Sequence, residues 1–409
     1  MSDIDSATRA HRQIFLDVMS LGCSARLFFL PLLRAASSRM EKLIRFEQSR
    51  DAWQRRAESI RTAILAGAGL SPFPRRTPLN ARSSNRRVRG SYSVEDIAFE
   101  AKPGFFVLGN LYRPAHPAGR VPAILVAHGH VYERGWYART RPENQILCAT
   151  LAEMGAVVFT YDMVGWGDSR QVDHHTHDVL QLQLWDSIRS VDFLESLPEV
   201  DPERIGATGA SGGATQVILL AAVDPRIHAS MPVVMVSSTY TGNEPCEDNM
   251  KIREVPGQAN TNNAEISAVI APHPLMLVSD GDDWTRHFPE EDFPYIRHIY
   301  EFFGAADNAQ NVHFAKGKHD YGPSKRQVAY RFFSRALGMV PPPMAESGYI
   351  ESQSDQAVRN WIQLDVAFPV KKEAKPAGVV YETYLDTCRM ARHLWHAGAR
   401  ATSRVSMLF

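Results

Sequence analysis

The run Gly-Ala-Ser-Gly-Gly at residues 209–213 constrains the fold more than any other stretch of the chain. An apolar segment before it predicts a short buried strand, and the apolar residues 214–223 predict a buried helix directly after it. A turn this tight forces Ser211 into a strained backbone conformation, which the flanking glycines accommodate because they have no Cβ. Strand, tight turn and helix together predict that the Ser211 hydroxyl projects above the edge of a sheet, next to the unpaired N–H groups of a helix start.

Strand patterns alternate with helix patterns over residues 91–340. Residues 95–99 and 105–112 predict a hairpin, and the wholly apolar run 122–127 is typical of a strand buried on both faces. The alternation predicts an α/β fold, a doubly wound and mostly parallel sheet. The further elements predicted in chain order are helix 143–154, strand 156–161, helix 180–196, strand 229–235, strand 274–279, helix 294–303, strand 311–315 and helix 324–337.

Three regions are predicted along the chain. Residues 1–90 form a helical, basic N-terminal extension that ends in a linker at 75–90. Residues 91–340 form the α/β domain, and residues 341–409 form a C-terminal extension with an amphipathic helix at 380–395. We expect the terminal helices to pack on the body or to join two copies of the chain as a homodimer.

Charge is unevenly distributed along the chain. The 45 Lys+Arg balance the 45 Asp+Glu, so the whole chain gives no reason to expect nucleic acid. Residues 1–90 carry 17 Lys+Arg against 7 Asp+Glu, so the remaining 28 and 38 balance at −10. We interpret the first region as a basic appendage docked on an acidic body, with a membrane surface or a polyanion as the alternative partner.

Cysteine usage and hydropathy bear on the compartment. Cys23, Cys148, Cys246 and Cys388 lie far apart and form no C-x-x-C pair. They predict reduced thiols in a cytoplasmic protein, with no zinc site and no disulfide framework. Charged residues and a proline interrupt the apolar stretch 14–33, so we expect neither a signal peptide nor stable membrane insertion.

A base for Ser211 is predicted in the loop after the last strand. A serine hydroxyl is a weak nucleophile and needs a base within hydrogen-bond reach. In doubly wound sheets the catalytic groups collect at the carboxyl ends of the strands. His319 lies in a glycine-flanked loop between strand 311–315 and the last helix, and we predict that it is the general base.

An acid that orients His319 is predicted in the loop after strand 274–279. Asp283 is preferred because it falls beyond the turn at Gly281, and the order Ser211, Asp283, His319 is the order that this fold uses. We expect Asp280 and Asp282 to cap the turn. The rival position for the acid is the preceding loop, with Glu244 and Glu247.

An oxyanion hole needs two N–H donors. We assign one to Gly212 and the other to His130, in the loop after strand 122–127, where Gly129 permits a close backbone approach. Substrate-lining roles are predicted for His128, Trp166 and Trp284, with ordinary packing as the alternative for the aromatic residues.

The stretch Asp173–Asp178 contains three histidines and two aspartates, a donor set that could bind zinc. No distant partner residue is evident from the sequence. We therefore predict a solvated or substrate-lining loop, and neither a metal nor a cofactor.

Residues 91–338 resemble the α/β-hydrolase superfamily, in the branch of acetyl-xylan-esterase-like and dienelactone-hydrolase-like serine esterases. The resemblance implies a serine carboxylic-ester hydrolase that acts through an acyl-enzyme on small or carbohydrate (acetyl-type) esters. A serine peptidase of prolyl-oligopeptidase type and a non-catalytic binding protein on the same fold are the alternatives. The motifs that carry the resemblance are His128-Gly-His130, Asp162…Gly165-Trp-Gly167, Val200-Asp-Pro202…Arg204-Ile-Gly206, Gly209-Ala-Ser-Gly-Gly213, Asp283-Trp-Thr285 and His319-Asp-Tyr321.

Overall fold

The structure of the protein is a computed structural model. It describes residues 49–348 apart from 118, 131–137, 241, 243, 248, 254 and 256–259. The predicted helix at 380–395, most of the basic extension and the proposed dimer contact lie outside the described residues. The chain divides between Glu58 and Ser59 into two units, and the features below belong to the second. Helix α1, Arg50–Gly67, spans this division and confirms the helical pattern predicted there.

Within the described residues, nine strands form one mixed sheet in the order β1-β2-β3-β5-β4-β6-β7-β8-β9. The pairs β1–β2, β2–β3 and β3–β5 are antiparallel, and the five other neighbouring pairs are parallel. The doubly wound, mostly parallel sheet is therefore confirmed. The strands are β1 Arg82–Arg89, β2 Tyr92–Lys102, β3 Phe105–Pro114, β4 Val121–Ala127, β5 Val157–Tyr161, β6 Val200–Ala210, β7 Ala229–Val233, β8 Leu275–Asp280 and β9 Ala309–Phe314.

The predicted linker at 75–90 is wrong for its second half, because residues 82–89 form the edge strand β1. Its side chains are mostly exposed or half-buried, and four of its eight residues are arginines. Charged side chains are typical of edge strands, since they discourage pairing with other chains. Because β1 is mostly polar, it lacks the alternating apolar residues from which a strand is predicted.

The helices flank the sheet and confirm the predicted alternation to within a few residues. Residues 237–263, for which no helix or strand is predicted, contain a 3-10 turn at Pro245–Glu247 and the short helix α5, and α6 begins at their end. Asn262 caps α6 through side-chain hydrogen bonds from two backbone N–H groups. The helices after α1 are α2 Pro142–Glu153, α3 Val179–Glu195, α4 Gly212–Val223, α5 Asn249–Arg253, α6 Asn263–Ala268, α7 Phe288–Glu291, α8 Phe293–Glu301 and α9 Pro323–Ala336.

Strand β4 lies near the centre of the sheet, and all seven of its residues are buried. It pairs with β5 on one side and with β6 on the other, so both of its edges and both of its faces are covered. Because β4 to β9 run parallel, their carboxyl ends meet at one rim of the sheet. The loops that carry the predicted site residues all start from this rim.

Cys148 and Cys246 are free and buried, and the two other cysteines lie outside the described residues. Within the described ranges, no helix is long and apolar enough to cross a bilayer. The cytoplasmic location stays a prediction.

Candidate active site

Ser211 occupies a strained turn between β6 and α4. Its backbone dihedrals are φ 56° and ψ −127°, a region that residues with a side chain rarely adopt. The Ser211 N–H donates to the Val233 carbonyl at 3.0 Å, which holds the turn against the end of β7. A Cβ on Gly213 would lie 2.1 Å from the Ala127 carbonyl oxygen, so only glycine allows this turn to pack on the end of β4. The local structure is the strained strand-to-helix turn that the sequence predicts.

Asp283 and His319 are joined by a hydrogen bond of 2.6 Å between Oδ2 and Nδ1. The Asp283 side chain is 4% exposed and the His319 side chain 33% exposed. The other carboxylate oxygen, Oδ1, accepts from both the N–H and the hydroxyl of Thr285, each at 2.6 Å. A carboxylate can only accept here, so Nδ1 of His319 carries a proton, and in the neutral imidazole the lone pair is then on Nε2. Nε2 has no hydrogen-bond partner among the described residues.

The Ser211 hydroxyl and His319 are not hydrogen-bonded to each other in this structure, and the hydroxyl has no partner within the described part of the chain. Ser211 follows β6, Asp283 follows β8 and His319 follows β9, and these strands are parallel members of one sheet. The fold therefore brings all three to one rim and joins two of them directly. Catalytic hydrogen bonds are often long or unformed before substrate binds.

The loop of His319 is anchored from below by two buried side chains. Lys325 Nζ forms an ion pair with Asp280 at 2.8 Å and donates to the carbonyls of Lys318 and Asp320 on either side of the imidazole. The Tyr321 hydroxyl lies 2.7 Å from Thr208 Oγ1 in strand β6.

The aspartates around the β8 turn have separate roles. Asp280 accepts from the Asp282 N–H at 3.1 Å, as expected of a residue that caps the turn. Its buried ion pair with Lys325 has no signal in the sequence, because 45 residues separate the two. The rival acids lie beside other histidines: Glu244 is 3.8 Å from His175 Nε2, and Glu247 is 3.6 Å from His130 Nδ1.

The loop after β4 passes directly against Ser211, the predicted nucleophile. A Cβ on Gly129 would lie 2.6 Å from the Ala210 carbonyl oxygen and 3.1 Å from Ser211 Cβ. The backbone of His130 therefore comes close to the start of α4, where Gly212 is the first residue. Neither the Gly212 nor the His130 N–H donates to another residue that the structure describes.

His128, predicted to line the substrate site, is buried, and both of its ring nitrogens are bonded. Nδ1 lies 2.7 Å from the Gly129 carbonyl, and Nε2 accepts from the Met163 N–H at 2.8 Å. Burial lowers the pKa of His128 to about 4, so the ring is neutral. These contacts tie the loop after β4 to the loop after β5 and leave no ring nitrogen for a substrate.

The two tryptophans differ in surroundings. Trp166 is buried in a small apolar cluster with Met163, Val164, Val179 and Cys246. Trp284 is half-buried and stacks on Tyr240, with ring centroids 4.4 Å apart and planes at 14°. Its ring also lies 4.7 Å from that of His319. The Tyr240–Trp284 stack thus borders the predicted base, and Tyr240 has no signal in the sequence that would have singled it out.

The histidine-rich loop Asp173–Asp178 is not uniformly solvated, because His174 is buried, and its substrate-lining role stays a prediction. The His177 side chain is 89% exposed, whereas His174 is 4% exposed and its ring contacts that of His130. Burial, as the largest cause, lowers the pKa of His174 to about 4 and that of His130 well below its usual value. Burial likewise raises the pKa of the Cys246 thiol, which contacts His130.

A buried polar network supports the loop between β5 and α3. The guanidinium of Arg139 pairs with Asp162 and Asp168, and its Nε donates to Asn110 at 2.6 Å. Charge-assisted hydrogen bonds of this kind are stronger than those between neutral groups. The loop that carries Trp166 and His174 is thereby held over the rim of the sheet.

The strand order and the strained serine turn at the carboxyl rim define an α/β-hydrolase. The acetyl xylan esterase (AXE1) family model matches residues 89–244. The chain belongs to this esterase family of the α/β-hydrolase superfamily, which its likeness to a solved relative at 34% identity shows.

That relative is methylesterase BT1017, which is 34% identical, with a TM-score of 0.68 over 80% of this chain and 77% of its own. YtaP of Bacillus subtilis (strain 168), an inferred hydrolase, is 27% identical over 66% of this chain and 96% of its own. A Bacteroides fragilis protein assigned as an acetyl xylan esterase shares the fold at 18% identity, with a TM-score of 0.52 over 78% of this chain and 89% of its own.

Proposed function

We propose that the protein is a serine carboxylic-ester hydrolase that works through an acyl-enzyme. The observation that carries the proposal is the Asp283–His319 hydrogen bond at the sheet rim that also bears the strained Ser211 turn. Family membership supports ester hydrolysis as the reaction. The finer assignments, a serine nucleophile and an Asp283–His319 pair as its base, are ours.

The proposed reaction starts with attack of Ser211 Oγ on an ester carbonyl. Nε2 of His319 accepts the hydroxyl proton, and Asp283 holds the tautomer that leaves Nε2 free to do so. Rotation of the Ser211 side chain on substrate binding would supply the hydrogen bond that the present structure lacks. The N–H groups of Gly212 and His130 stabilise the tetrahedral oxyanion, and loss of one such donor typically raises the barrier by about 3–4 kcal/mol.

His319 then protonates the leaving alcohol, and water repeats the cycle on the acylated Ser211. The exposed side of His319 can receive that water, since a third of its side chain is accessible. The strained backbone of Ser211 keeps its hydroxyl above the rim throughout.

The proposed substrate is a small or carbohydrate ester of the acetyl type. The Tyr240–Trp284 stack offers an apolar aromatic surface beside His319, as sites for ring-shaped ligands often do. The names of the relatives, a methylesterase and an acetyl xylan esterase, point to small ester groups on larger molecules.

The test is turnover of p-nitrophenyl acetate by Ser211→Ala, with labelling by a fluorophosphonate probe. We expect turnover near the uncatalysed rate and loss of labelling, with an unchanged circular dichroism spectrum. Ser324→Ala removes an exposed hydroxyl at the start of α9 and serves as the matched control. Wild-type turnover by Ser211→Ala would overturn the proposal, and cleavage of aminoacyl-anilides in preference to esters would favour a peptidase.

A further inference from the structure

We propose that His130, His174 and Cys246 form a binding site for one zinc ion. The Nε2 atoms of the two histidines lie 3.2 Å apart, and Cys246 Sγ lies 3.3 Å from His130 Nε2. One donor atom from each residue falls within 4.8 Å of the other two. Imidazole nitrogen and thiolate sulfur are the donors that zinc takes most readily.

Two of the three spacings between donor atoms match the edge of a zinc tetrahedron. With Zn–N near 2.05 Å and Zn–S near 2.3 Å, two nitrogens on one ion are about 3.35 Å apart, and a nitrogen and a sulfur about 3.55 Å apart. The observed 3.2 and 3.3 Å are within a few tenths of an ångström of these values. Small movements of the side chains would bring all three donors onto one ion.

A hydrogen bond on the far side of the His174 ring fixes the lone pair that zinc needs. His174 Nδ1 lies 2.6 Å from the Val164 carbonyl oxygen, which can only accept, so Nδ1 carries the proton and Nε2 keeps its lone pair. His130 turns Nδ1 toward a carboxylate oxygen of Glu247, 3.6 Å away. Histidines that bind metals commonly hold their second nitrogen against a carbonyl or a carboxylate in this way.

The lone pair on His174 Nε2 faces His130 Nε2 across the 3.2 Å gap. Cys246 Sγ adds a third donor at the same gap, 3.3 Å from His130 Nε2. With the His130 proton on Nδ1, toward Glu247, and the thiol deprotonated, one ion in the gap would use all three atoms.

The surroundings are those of a shielded site. His174 is 4% exposed and Cys246 is 2% exposed. The Trp166 ring meets both imidazoles edge-on, at 5.7 and 5.8 Å, and excludes water from one side. Three protein ligands leave one position of a tetrahedral ion for water or another small ligand.

The ion would join the loops after β4, β5 and β7, from which the three ligands come. A Cβ on Gly212 would lie 2.6 Å from His130 Cε1, so the His130 ring packs on the first residue of α4. Zinc would therefore position the backbone near the proposed oxyanion hole. This role rests on the proposed function, whereas the binding site itself does not.

The test measures metal content and ligand identity in the full-length protein, purified without a histidine tag. We expect elemental mass spectrometry to find about one zinc ion per chain, because the three residues form a single tetrahedral site. After removal of zinc by a chelator, added Co²⁺ should give a thiolate-to-cobalt charge-transfer band. Cys246→Ser should abolish that band, and His174→Ala should lose the ion.

His177→Ala and Cys148→Ser are the matched controls, in the same loop and at a second buried thiol, and both should bind zinc as the wild type does. If a ligand variant fails to fold, the cobalt spectrum of the wild-type protein decides alone. Absence of zinc from the wild-type protein, with no binding of added Zn²⁺ or Co²⁺, would overturn the proposal. Ser211→Ala should keep its zinc while losing turnover, so failure of the metal site and failure of the esterase assignment give different results.

Discussion

Lys325 Nζ lies 2.8 Å from Asp280 Oδ2, and the two side chains are 3% and 0% exposed. The ion pair lies beneath the loop that carries His319. Removal of either member leaves the other as an unpaired buried charge. We expect Lys325→Met to lower the free energy of unfolding by about 3–5 kcal/mol, because an unpaired buried carboxylate is costly. Urea denaturation measures this loss.

A double-mutant cycle supplies the control for that prediction. Lys325→Met combined with Asp280→Leu removes both charges, so the combined loss should be smaller than the sum of the single losses. Strict additivity would show that the ammonium and the carboxylate do not interact energetically.

Asp283→Asn should lower kcat by about 10⁴-fold, because an amide can present a donor to Nδ1 and select the wrong tautomer of His319. The assay is ester turnover under saturating substrate. Asp282→Asn, an exposed neighbour on the same turn, should keep wild-type kcat. Equal kcat for the two variants would remove Asp283 from the proposed machinery.

Gly212→Ala should lower kcat by about 10²-fold, because small displacements of an oxyanion donor are expensive. The added methyl group would lie 2.6 Å from His130 Cε1 and 2.8 Å from Glu247 Oε1, so His130 must move. Gly348→Ala places a methyl group in open space and should have no effect. Unchanged kcat in Gly212→Ala would mean that His130 can move away from the added methyl group without displacing the donors of the proposed oxyanion hole.

Glu346 binds the Arg326 guanidinium through both carboxylate oxygens, each at 2.7 Å, and these hydrogen bonds lower its pKa although partial burial acts the other way. A lowered pKa in the folded state adds stability above the unfolded pKa, about 4.3, and this stability is lost as the pH falls through the folded value.

Glu346→Gln should therefore cost about 1 kcal/mol at neutral pH and nothing at a pH where both states are protonated. The measurement is a series of urea unfolding curves from acidic to neutral pH for the two proteins. A difference that persists unchanged into acid would show that charge is not the cause.

The sequence predicts the sheet well where burial leaves a simple pattern. Strand β4 is apolar at all seven positions because both of its faces are covered, and its run of residues could be recognised without a partner. Strand β1 could not, because an exposed edge selects arginines rather than alternating apolar residues. The turn at Gly281 is also informative, because Asp283 is chosen for its position beyond this turn. The Asp283 carboxylate is hydrogen-bonded to His319 in the structure.

Contacts between loops that are distant in the sequence could not be predicted from a local sequence pattern. His130, His174 and Cys246 follow three different strands, and no spacing rule links them until the order of the strands in the sheet is known. The same holds for Tyr240 on Trp284, where a residue in an irregular loop meets one beyond β8. Residues of this kind are found only from tertiary structure.

The hydroxyl of Tyr321 reaches Thr208 across the interior at 2.7 Å. Thr208 precedes Ser211, the proposed nucleophile, by three positions, and Tyr321 follows His319, the proposed base, by two. The hydrogen bond between Tyr321 and Thr208 therefore links the two segments. We expect motion of the rim to carry the two segments together, which would limit how far the Ser211 hydroxyl and the His319 imidazole drift apart.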